Sequence, residues 1–123
     1  MEPNKFVLQV FERLVAETQP MHLVTLAGDV DAHLEEIRVA AKRNELLPVD
    51  LAEEIAGKLQ GLLRGLGELP AEQQRLVIGA ARYFVSTQDV NPDTETVLGL
   101  DDDASVLNYV LETIGRTDLL IDL

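Results

Sequence analysis

Apolar residues in this chain recur at every third or fourth position, in stretches punctuated by proline and glycine, and no stretch shows the period-two pattern of a half-buried strand. That spacing limits the chain to helices. Phe6, Val7, Val10, Phe11, Leu14 and Val15 mark a first helix over 3–18, with Pro3 tolerable in its first turn and Pro20 at its exit. A short apolar stretch, 21–27, leads to Gly28-Asp29, and Val30, Leu34, Ile37 and Ala41 predict a second helix beginning after Asp29. Pro48 and Asp50 interrupt again. Asp50 and Glu53 have the spacing at which a cap acceptor and a back-reaching carboxylate satisfy orphan N–H groups, so a third helix is expected from Leu51. Gly67-Glu68-Leu69-Pro70 closes it, and Ala71-Glu72 opens a fourth in which Leu76, Val77, Ala80, Ala81 and Phe84 repeat to about Ser86. Asn91-Pro92 and Gly99 read as loop, and Asp102-Asp103 precede a fifth helical face of Val106, Leu107, Val110, Leu111 and Ile114. The expected fold is all-α: one domain over 1–123, a bundle of about five helices with an acidic, Pro- and Gly-containing loop between the last two long ones.

A chain of 123 residues suits one core, and a hydrophobic fraction of 46% can offset its conformational entropy. No repeat of 20 to 50 residues and no low-complexity linker divides it. The absence of cysteine removes disulfides, thiolate metal sites and cysteine nucleophiles, and suits a cytoplasmic location. The first residues lack the basic start and apolar core of a signal peptide, and no apolar run approaches the length of a spanning helix, so a soluble protein is expected. Net charge is −12, and residues 84–123 hold nine acids against Arg116 alone. Such a balance argues against nucleic acid and against an anionic membrane surface, both of which need Lys/Arg clusters. Peripheral attachment through Phe6, Val7, Val10 and Phe11 is disfavoured because that helix has no basic face.

In the third helix Leu51, Ile55, Leu59, Leu62, Leu63 and Leu66 fall on one arc, while Gly57, Gly61 and Gly65 form a second stripe roughly 140° from its centre. Glycine costs a helix interior about 1 kcal/mol relative to alanine. Three at four-residue spacing are explained either by a solvated face lined by Glu54, Lys58 and Arg64, or by close approach of another helix or subunit. Catalytic motifs are missing. Ser86 and Ser105 have no nucleophile-elbow context, and His22 and His33 lack zinc-ligand spacing and read as structural. No phosphate-cradling glycine loop or dinucleotide fingerprint is present.

The dense polar feature runs from Gln88 to Asp103. Asp89, Asn91, Asp93 and Glu95 alternate as oxygen ligands do in a calcium loop, but the turn position that needs glycine is Thr94 and the bidentate-Glu position is Leu100. An EF-hand is therefore excluded. The favoured role for these acids is capping and Asx-turns around Pro92. The alternative is a looser Ca²⁺ or Mg²⁺ site built on Asp89, Asp93, Asp102 and Asp103, with hydrolytic chemistry as its extension.

From Tyr83 to Leu107 the order Tyr83, Asp89, Pro92-Asp93, Gly99, Asp102-Asp103, Val106-Leu107 resembles the YkvA-like bacterial family, a domain of unknown function, within a family-like segment of about 71–115. Thr87 and Thr96 stand where that pattern tends to have proline, and Asn91 where it has isoleucine. The resemblance implies a helical fold with the aspartate signature between two helices, and no reaction. With no catalytic constellation, the chain is expected to be non-enzymatic: an interaction or regulatory module that forms homo-oligomers or binds another protein, without a cofactor.

Overall fold

The structure, a computed structural model, describes residues 3–17, 20–85 and 97–122, with side chains described for all of these except 20–24 and 97–99. Five α-helices follow in order: α1 (Lys5–Ala16), α2 (Pro20–Ala41), α3 (Val49–Arg64), α4 (Ala71–Val85) and α5 (Val97–Thr113). Single 3₁₀ turns span Leu66–Glu68 and Thr117–Leu119, and no strand occurs among the described residues. The fold is an all-α bundle, as the apolar spacing requires.

At the centre lies α4, which touches each of the other four helices. Its composition explains the position. Val77, Ile78, Gly79, Ala80, Ala81, Tyr83 and Phe84 are all buried, so apolar surface covers most of its circumference rather than one stripe. Three consecutive small residues, Gly79 to Ala81, let neighbouring helices approach closely. Against this helix α1 packs Val7 and Phe11, α2 contributes Leu26, Val30, Leu34 and Ile37, and α3 adds Ile55, Leu59 and Leu62. Burying a side chain of this size stabilises the fold by about 1.5–3 kcal/mol. Val7 and Phe11, considered above for membrane attachment, are thus core residues, and among the described residues no helix is long and apolar enough to cross a membrane.

Three helix starts differ from expectation. Helix α2 begins at Pro20, not after Asp29; Gly28 is an ordinary helical position, and the Thr25 hydroxyl donates to the Asp29 carboxylate one turn on, at 3.1 Å. One glycine costs too little to break a helix whose Leu26, Val30, Leu34 and Ile37 share a buried face. Helix α3 begins at Val49 with Pro48 before it and no side-chain cap, so Asp50 lies within the first turn and the expected capping box is absent. Helix α5 begins at Val97, which places Gly99 and Asp101 to Asp103 inside the helix. A cap the sequence reading missed is Asn4, whose Oδ1 accepts from the Val7 N–H at 2.9 Å at the start of α1.

The α1–α4 junction is tight. A methyl group placed on Gly79 would lie 2.5 Å from Val15 Cγ2 and 3.2 Å from Phe11 Cε1. Next to it Arg82 Nη1 donates to the Leu14 carbonyl at 3.0 Å, placing a cation at the C-terminal end of α1. Phe11 also meets Tyr109 of α5 edge-to-face at 6.1 Å.

Candidate functional site

The outward face of α3 follows from the same periodicity that buries Ala52, Ile55, Ala56, Leu59 and Leu62 on its inner face. Opposite them Gly57 and Gly61 are exposed and Gly65, just past the helix end, is half-buried. Unlike Gly79, none of the three is needed by the chain's own packing. A methyl on Gly57 would meet nothing within 4 Å, on Gly61 only Arg64 Nη2 at 3.9 Å, and on Gly65 the Gly61 carbonyl at 3.8 Å and Glu68 Oε2 at 3.9 Å, all ordinary contacts. The glycines line a groove of about 330 Å³, together with Leu62 and Leu69 on one side and Arg116 and Leu119 of the C-terminal segment on the other. Its rim is charged. Lys58 Nζ lies 2.7 Å from Glu54 Oε2, one turn back on α3, and Arg116 meets Asp118 through Nε at 3.2 Å and Nη2 at 3.3 Å. That hydrogen bond holds the Asp118 carboxyl below its ordinary range and raises the Arg116 guanidinium. Both side chains are exposed.

A second, shallower groove of about 410 Å³ lies on the outer face of α2, lined by Ala32, Glu35, Glu36, Val39, Ala40 and Arg43. Val39 there and Phe6 and Leu46 elsewhere are large apolar side chains that stay exposed.

Of the four candidate cation ligands the structure describes two, Asp102 and Asp103. Asp89 and Asp93 lie outside the described residues. Asp102 and Asp103 occupy the second turn of α5, so neither precedes the helix. Consecutive helix positions do not face each other: Asp103 is buried, at 3% exposure, while Asp102 is half-exposed. Among the described residues no three His, Asp or Glu side chains converge as a metal set. The His22 side chain is also outside the described residues. His33 is buried between α2 and α4, its ring edge-on to Phe84 at 4.9 Å and its Nδ1 3.4 Å from Glu36 Oε2.

Sequence reasoning picked out the glycine face but missed the wall opposite it. The signal was present in Gly115, a glycine just past the apolar face of α5, where a helix commonly ends and the chain reverses. Asn108, buried on α5 and bonded to both backbone groups of Ile121, was missed because a lone asparagine carries no periodic signal. No family model matches the chain, and comparison with curated proteins and with solved structures finds no match.

Proposed function

We propose that this chain is a non-catalytic protein-interaction module and that the glycine-lined groove of α3 is its contact face, taking a helix from a partner protein or from a second copy. One observation carries the reading: three glycines at four-residue spacing, of which Gly57 and Gly61 lie inside the helix where glycine is costly, stand where alanine would fit and where nothing in the chain itself needs the space. A helix backbone from outside gains from such a face, because small residues allow axes to come close. The rim supports the same reading. Lys58 and Arg116 against Glu54, Glu68 and Asp118 supply both signs of charge, which fix orientation and partner more than affinity. The absence of cysteine favours the cytoplasm as the setting.

The YkvA-like resemblance of 83–107 remains a proposal about the fold. It is supported by the burial of Tyr83, Asp103, Val106 and Leu107, which serve the interior, while Asp102 of the same signature is half-exposed.

The test is Gly61→Leu, followed by sedimentation equilibrium and by capture of host proteins on immobilised chain. A loss of self-association, or of a specific captured protein, with the helical circular dichroism signal intact supports the contact face. Unchanged assembly and unchanged capture would overturn it.

A further inference from the structure

Beyond α5 the chain turns back on itself. Gly115, at φ 80°, occupies the left-handed region that favours glycine. The Arg116 N–H donates to the Leu111 carbonyl at 2.8 Å and the Gly115 N–H to Glu112 at 3.3 Å, the paired bonds of a Schellman close. One 3₁₀ turn follows, and the chain returns to α5. There Asn108 holds one residue by both backbone groups: its Nδ2 donates to the Ile121 carbonyl at 2.9 Å and its Oδ1 accepts from the Ile121 N–H at 2.8 Å. The Ile121 side chain is 4% exposed, within the core cluster, and Leu119 and Leu120 pack half-buried against that cluster.

An amide bonded to both the N–H and the C=O of one residue treats that residue as a neighbouring strand would. It recognises an extended backbone, whatever the side chain. The apolar socket then selects an aliphatic side chain. Together they make a slot for one aliphatic residue, and the residue seated in it is the chain's own Ile121, carried on the arm 116–122.

We infer that this slot also accepts the 116–122 arm of a second copy, so that the protein dimerises by exchanging arms. The occupant is the one peptide the structure shows fitting, and a second copy presents it unchanged. Exchanged and unexchanged arms make the same contacts, so the balance is set by the hinge and by concentration. The hinge is Gly115. A side chain there disfavours the left-handed turn that sends the arm home, and costs an opened hinge nothing. The exchange uses α5 and the arm, whose Arg116 and Leu119 also form the far wall of the α3 groove, so an exchanged arm rebuilds that wall from the second copy.

Complementation tests it. Asn108→Ala keeps a sound arm but spoils the slot; Ile121→Asp keeps a sound slot but spoils the arm. Each alone should sediment as a monomer, whereas an equimolar mixture should give a 1:1 heterodimer by native mass spectrometry, because one sound arm meets one sound slot. Gly115→Ala in the otherwise unaltered chain should raise the dimerisation constant by about 25- to 900-fold, the square of the roughly 5- to 30-fold effect at one hinge, because each protomer contributes a hinge. A mixture that stays monomeric, or a Gly115→Ala chain with unaltered association, would sink the proposal. If either variant is unfolded by circular dichroism, a labelled peptide of residues 116–122 is titrated into the unaltered chain. Saturable binding that dissociates dimer supports exchange, and no bound fraction overturns it. Gly61→Leu run beside these variants separates the two surfaces, since it should leave the complementation intact.

Discussion

Gly79 in the middle of α4 and Gly61 in the last turn of α3 both lie inside a helix, where glycine costs up to about 1 kcal/mol relative to alanine. A methyl group would meet Val15 at 2.5 Å at the first and only the tip of Arg64 at 3.9 Å at the second. Gly79 is explained by the chain's own packing: α1 and α4 meet over it, with Phe11 and Val15 filling the space a side chain would take. Gly61 has no such explanation inside the chain. Residue type and local helix are the same in the two places; what differs is whether another element of this chain already lies against the glycine. A small residue is therefore evidence of close approach only after its neighbours are known.

The comparison breaks most visibly at Gly79. Gly79→Val should destabilise by about 3 kcal/mol in urea unfolding, because added carbons in a filled junction force backbone or rotamer shifts. Val15→Ala in the same chain should recover part of that loss, and a double-mutant cycle showing no coupling would mean that the close approach does not exist. Arg82→Met comes next. It removes the charged donor to the Leu14 carbonyl while keeping much of the side-chain bulk, and should cost about 1.5 kcal/mol.

At Gly61 the sign reverses. Gly61→Ala should stabilise the isolated chain by about 0.5–1 kcal/mol, since the space is open and the unfolded chain loses freedom. Gly57→Ala should add a similar amount. A destabilised Gly61→Ala chain would erase the distinction between the two glycines; a stabilised one that also loses self-association would sharpen it, because the position would then serve contact and not folding.

Which parts were legible in the sequence follows the same division. The helices themselves were readable because burial repeats with the helical period: Val77, Ala80, Ala81 and Phe84 announce α4 without any knowledge of its neighbours. Helix starts were less so. Gly28 and Gly99 were read as breaks, yet both lie inside helices, where packing outweighs the small cost of one glycine. The outward direction of Gly57 and Gly61 was also legible, being a matter of angle around one helix. Features that depend on two distant segments were not. The Asn108–Ile121 pair and the Gly79–Val15 contact join residues far apart in the chain, and no local spacing encodes which distant partner a side chain will meet.

The smallest effect concerns the groove's far wall. Asp118 is held below its ordinary range mainly by its hydrogen bond to Arg116, so any stability the pair contributes is present above the ordinary carboxylate range and is lost as pH falls through the lowered value. Both side chains are exposed, where water and salt screen the attraction, so Asp118→Asn should leave the melting temperature unchanged at neutral pH and indistinguishable from the parent in acid. The pair can still matter for contact. Asp118 orients the Arg116 guanidinium at the rim of the glycine groove, and a partner that uses this cation would meet a freer side chain in the variant. Association should then change in rate and salt dependence while melting does not. A variant that melts lower yet associates normally would show that the Arg116–Asp118 pair belongs to the fold of the C-terminal segment, and the wall of the groove would have to be assigned to Leu119 alone.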